Sequence, residues 1–81
     1  MQSNGSRFLV VDDEVLILSL LCRAFADTTI ETAPTGTDAV LKLENQTFDA
    51  LITDKNLPDI DGIEVVRRAR EMHRAGEILI V

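Results

Sequence analysis

Short apolar runs alternate with helix-length stretches along the whole sequence, and this alternation constrains the fold more than any other feature. Phe8-Leu9-Val10-Val11 is a continuous apolar run that stops at Asp12-Asp13, and its β-branched content predicts a buried strand. Thr28 to Ala33 predicts a second, weaker strand ended by Pro34. Phe48 to Thr53 predicts a third that ends at Asp54, and Glu77 to Val81 a fourth. Glu14 to Ala26 holds no Gly or Pro and is long enough for three to four helical turns. Asp13 is placed to cap that helix, which is expected to be largely buried and to carry Cys22 as a core thiol. Thr35 and Asp38 form a capping box before a helix over Thr37 to Glu44, which Asn45-Gln46-Thr47 breaks. Lys55 to Asp61 is a loop shaped by Pro58. Asp61, Gly62 and Glu64 then open a third helix, with Ile63, Val66, Ala69 and Met72 on its inner face and Gly76 as its stop. The β-α-β-α-β-α-β order predicts an α/β fold with a parallel sheet and right-handed crossovers. Ligands of such sheets bind beyond the C-terminal strand ends, where the strand order reverses.

The 81 residues allow one small domain at most, of marginal stability. Fourteen Asp and Glu against eight Lys and Arg give a formal charge of −6, which argues against nucleic-acid binding through phosphate neutralisation. There is no Trp or Tyr to stack on single-stranded bases. A single cysteine excludes an internal disulfide and a cysteine-based metal site. No apolar run is long enough for a membrane helix, and residues 1–6 lack the apolar core of a signal peptide. These residues are expected to form a flexible leader, and the chain to work in a reducing cytoplasm.

Two strands of this pattern end in acids. With the first and third strands as neighbours and the second outside the first, Asp12, Asp13 and Asp54 converge at the switch point. Unpaired carboxylates so close repel one another, and a divalent cation removes the conflict. Oxygen-only ligands with one or two carboxylates suit Mg²⁺ with a phosphate as co-ligand. Each acid also has a plainer reading: Asp12 and Asp13 as helix caps, Asp54 as a turn initiator. Their coincidence at matched strand ends favours the metal and phosphate site.

Val10-Val11-Asp12-Asp13-Glu14, followed by Leu51-Ile52-Thr53-Asp54-Lys55-Asn56-Leu57-Pro58-Asp59-Ile60-Asp61-Gly62, resembles the receiver domain of two-component response regulators. The resemblance runs from about Arg7 to Val81. It implies a flavodoxin-like doubly wound sheet in the order 2-1-3-4, over residues 7–81. It also implies that Asp54 is the phosphoacceptor, taking a phosphoryl group from a histidine kinase or phosphotransfer protein. Asp13 then matches a direct Mg²⁺ ligand, Asp12 an acid acting mainly through a metal-bound water, and Asn56 the position whose main-chain carbonyl binds the metal. In the family the fold continues with a Thr or Ser, then a helix, a strand carrying a Lys and a final helix. None of these lies in the sequence, so the fold is expected to be cut at the fourth strand. Ile78 to Val81 would then form an apolar open edge, and the isolated segment is expected to self-associate through it or to fold poorly.

Two rivals accompany this reading. One is a Mg²⁺-dependent phosphohydrolase with an Asp nucleophile, but such enzymes place a general-acid Asp two residues on, where Asn56 stands. The other is a pseudo-receiver, a phosphorylation-independent interaction module, against which the intact Asp12, Asp13 and Asp54 argue. Lys55 follows the acceptor directly and should point away from it along the strand alternation. His73 suits a helix C-terminus, and Arg67, Arg68, Arg70 and Arg74 suit a solvated face.

Overall fold

The computed structural model describes residues 6–14, 20, 23 and 28–81. Of the helix expected over Glu14 to Ala26, Leu20 and Arg23 are helical and exposed. Cys22 and the burial of that helix lie outside the described residues, as do residues 1–5 of the expected leader.

Strand β1 (Arg7–Val11) is the pivot of the sheet. It pairs in parallel with β2 (Thr29–Ala33) on one side and β3 (Phe48–Thr53) on the other, and β4 (Ala75–Ile80) pairs in parallel with β3. The order is β2-β1-β3-β4, so it reverses between β1 and β3. The register sets Val11 beside both Ala33 and Thr53, and Thr53 beside Ile80. All four strands therefore finish at about the same level, which gathers their C-terminal loops along one edge of the sheet.

Two described helices cover one face. Helix α1 (Gly36–Asn45) buries Gly36, Ala39, Val40 and Leu43, and helix α2 (Gly62–Met72) buries Gly62, Val65, Val66 and Ala69. Both follow the i, i+3, i+4, i+7 spacing that puts side chains on one stripe. The stripes meet Leu9, Val11 and Leu51 in one core that also holds Ala33 and Phe48. Leu9 pairs with Leu51 and Leu51 with Ile78, so these side chains share the helix-covered face. Right-handed crossovers from β2 to β3 and from β3 to β4 advance in the same direction, which is why both helices fall on the same side.

The ends of α2 correct two expectations. Ile63, expected on the inner face, is 52% exposed, and Val65 is fully buried in its stead. A step of three residues falls short of a helical turn of 3.6, so the stripe passes from Gly62 to Val65 and Val66. Met72 keeps its expected place against the core. Gly76 does not stop the helix. The stop is His73, in the left-handed region at φ 54°, whose N–H donates to the carbonyls of Ala69 and Arg70. Gly76 instead sits inside β4, where a Cβ would come within 2.9 Å of the Asp49 carbonyl oxygen.

Polar groups tie the far end of the sheet. Glu31 of β2 accepts from Arg7 (2.7 Å), Lys42 (3.2 Å) and Gln46 (3.1 Å), joining β1, β2 and α1. On α2, Glu64 pairs with Arg67 and Arg68, and Arg67 also with Glu71, as expected of a solvated helical face.

Candidate functional site

The site grows out of two main-chain hydrogen bonds that extend the sheet by one residue. The Asp12 N–H donates to Ala33 O (3.1 Å), and the Asp54 N–H donates to Val11 O (2.9 Å). Each acid is thereby fixed where its strand stops pairing, at the reversal of strand order. Their side chains are then turned by the next residues. Asp12 Oδ1 accepts from the Glu14 N–H (2.9 Å), and Asp54 Oδ1 accepts from the Asn56 N–H (3.1 Å). Both are Asx-type turns that orient a carboxylate at little entropic cost.

Asp12, Asp13 and Asp54 each bring one carboxylate oxygen within 4.8 Å of the others. Asp12 and Asp54 are half-buried and Asp13 is exposed, so the cluster opens to solvent on one side. Three anions this close repel one another, most strongly where water is partly excluded. A purely oxygen donor set of this charge fits a hard divalent cation such as Mg²⁺. The sequence placed these three acids together, and the structure brings them together. The capping expected of Asp13 involves a helix outside the described residues, and in the described part the carboxylate that accepts the Glu14 N–H is that of Asp12.

Asn56 is exposed on the loop from Asp54 to Asp61, two residues from the candidate acceptor. Gly62 closes that loop, donating its N–H to Lys55 O (2.9 Å). Asp61 caps α2, accepting from the Ile63 N–H (2.9 Å) as its sequence position predicted. Lys55 is exposed, and its N–H prolongs the sheet ladder to Val81 O (3.0 Å). One contributor escaped the sequence reading. Asp59 was only a loop residue there, yet its carboxylate accepts from the N-terminal turn of α1.

The response regulator receiver domain family matches residues 8–81 of this sequence. The chain belongs to that family. Receivers with solved structures carry the same fold. The response regulator TrrA of Thermotoga maritima, solved in complex with Mg²⁺–BeF, is 36% identical with a TM-score of 0.82, over 91% of this chain and 67% of its own. The receiver domain of Ssk1 from Saccharomyces cerevisiae, crystallised with the histidine phosphotransfer protein Ypd1, is 25% identical with a TM-score of 0.72, over 84% of this chain and 48% of that one. Among curated relatives, the transcriptional regulatory protein TcrA of Mycobacterium tuberculosis is 41% identical over 69 residues. The match takes in 83% of this receiver but only 27% of TcrA. No helix among the described residues is long and apolar enough to cross a membrane.

Proposed function

We propose that this receiver is the phosphoacceptor of a two-component phosphorelay, with Asp54 as the residue phosphorylated. The convergence of Asp12, Asp13 and Asp54 at the switch point carries the reading. A carboxylate oxygen of Asp54 attacks the phosphorus of a phosphohistidine. The P–N bond breaks, an acyl phosphate forms, and the departing imidazole takes up a proton. A carboxylate is a modest nucleophile, so the chain contributes mainly orientation. The Asn56 N–H holds Asp54 Oδ1, and the Val11 carbonyl holds the Asp54 main chain.

Asp13, Asp54 and the Asn56 carbonyl would hold Mg²⁺ directly and Asp12 through a water. The ion supplies charge neutralisation between the two anions that must approach each other. With Asn56 where a hydrolase would need a general acid, the module stores its phosphate as a signal rather than turning over an external substrate. The donor is a sensor histidine kinase or a phosphotransfer protein, a reading supported by the Ssk1 receiver's crystallisation with Ypd1. The phosphorylated state would switch a downstream output in the cytoplasm.

The deciding experiment offers the intact protein a phosphoryl donor and Mg²⁺. One hydroxylamine-sensitive phosphate is expected per chain, and none on Asp54→Ala. A label retained by that variant would move the acceptor elsewhere.

A further inference from the structure

The N-terminal turn of α1 is closed by a side chain from a different loop. Thr35, its N-cap, accepts from the Asp38 N–H (3.1 Å). The two amides left over, those of Gly36 and Thr37, donate to Asp59 Oδ1 and Oδ2, each at 2.8 Å. The Thr37 hydroxyl also donates to Oδ2, and the Ile60 N–H to Oδ1 (2.8 Å). An exposed carboxylate therefore takes four hydrogen bonds at the positive end of a helix. The Thr37 hydroxyl foremost, with these amides, holds its carboxyl far below the usual carboxylate range despite some desolvation. Next to this contact Gly36 packs on Ile60 so closely that a Cβ would overlap its side chain.

Hydrogen bonds hold the loop after β3 at several points besides the Lys55 N–H bonded to Val81 O. Asp54 is bound to β1, Gly62 is bound back to Lys55, and Asp59 is bound to α1. Asn56 lies between the first and last of these, linked to Asp59 only by Leu57 and Pro58, whose ring restricts φ. Leu57 also packs against the core, so Leu57 and the Asp59 clamp together hold the chain that follows Asn56.

We propose that Asp59 is a positioning residue for the acidic cluster. By clamping its loop onto Gly36 and Thr37 of α1, its carboxylate sets where the Asn56 carbonyl stands relative to Asp12, Asp13 and Asp54, and so sets the affinity for Mg²⁺. This rests on the reading of those four residues as a Mg²⁺ site. The rival is a helix cap that contributes stability alone.

The test titrates Mg²⁺ into the intact protein by calorimetry, with thermal melts to fix a temperature at which every variant is folded. Asp59→Ala should weaken Mg²⁺ binding about tenfold, as the loss of a residue supporting metal ligands does. Asp59→Asn removes the same charge but keeps one acceptor oxygen, enough for two of the four hydrogen bonds, and should recover part of the affinity. Glu31→Gln, in the middle of β2 and away from the α1 N-terminus, should lower the melting temperature and leave the affinity unchanged. An Asp59→Ala affinity within twofold of wild type overturns the proposal. So does an Asp59→Asn variant as weak as Asp59→Ala, which would make the effect one of charge. Should Asp59→Ala not fold, Thr37→Val decides: weaker Mg²⁺ binding supports the clamp, and wild-type affinity overturns it. A wild-type protein that binds no Mg²⁺ would bring down the metal reading itself, and the proposal with it.

Discussion

The α-carbon of Gly62 lies against the carbonyl oxygen of Asp54, so closely that a Cβ would overlap that oxygen. Gly62 has no positive φ, so its need for glycine is one of space rather than backbone conformation. The first residue of α2 and the candidate acceptor share a contact that only a hydrogen atom can fill. Gly62→Ala must displace either the helix or the Asp54 main chain. Such overpacking against backbone should cost about 2–3 kcal/mol in a denaturant melt. Phosphorylation of Asp54 should slow as well, because the displaced carbonyl belongs to the acceptor. A variant with wild-type stability and labelling rate would show that the contact relaxes freely.

Asp13 is the exposed member of the acidic cluster, and with Asp54 it is proposed to contact the metal directly. Asp13→Asn replaces an anionic ligand of a hard cation with a neutral one at nearly constant volume. Mg²⁺ affinity should fall by about tenfold or more. The metal-free protein should become no less stable, because one of three mutually repelling charges has gone. Equal Mg²⁺ affinities in wild type and variant would remove Asp13 from the site.

The acidic cluster was legible in the sequence because its signals are local. Val11-Asp12 and Thr53-Asp54 mark strand ends by an abrupt change from apolar to acidic, and parallel pairing then brings those ends together. The clamp by Asp59 was not legible, since its partners Gly36 and Thr37 lie 23 and 22 residues earlier. Nothing in the loop sequence distinguishes a carboxylate that caps a distant helix from a solvated one. The misplacement of Ile63 came from extending a three-residue step across a 3.6-residue turn. The misplacement of the α2 stop has a different origin. Glycine is the usual residue for the left-handed position, but here His73 adopts it, which leaves Gly76 for a close approach between strands. Sequence alone ranks those two residues the other way round.

The Glu31 cluster, centred on β2, predicts a pH dependence. Desolvation alone would push the Glu31 carboxyl up. The hydrogen bonds from Gln46 and Lys42 and the charges of Lys42 and Arg7 together outweigh it, and hold the folded-state value below the ordinary 4.5. A carboxyl depressed by folding adds stability above its unfolded value and loses that contribution as pH falls through its folded value. Wild type should therefore lose stability below about pH 4.5 more steeply than Glu31→Gln, and the two melting curves should converge in acid. Parallel loss in both proteins would assign the acid sensitivity to other carboxylates.

Strand β4 is an edge of the described sheet, paired with β3 on one side. Leu79, Ile80 and Val81 are 56%, 41% and 68% exposed, and Ile78 is only partly covered by the core. Leu79 stands in one row with Ile52 and Val10 on the face opposite α1 and α2, and its exposure adds apolar surface to the edge. Main-chain donors and acceptors along such an edge can pair with another chain, and Ile78 to Val81 carry no charge to discourage it. The 81-residue segment prepared by itself should elute larger than a monomer in sizing chromatography, or melt without cooperativity. Leu79→Lys puts a charge in the middle of the exposed strand and should shift the eluting species toward the monomer. The same substitution should leave Mg²⁺ affinity alone, because residue 79 pairs with Ile52 rather than with Thr53 beside the cluster. A strictly monomeric, cooperatively melting wild-type segment would refute the idea, and would mean that the four strands suffice to keep this edge soluble.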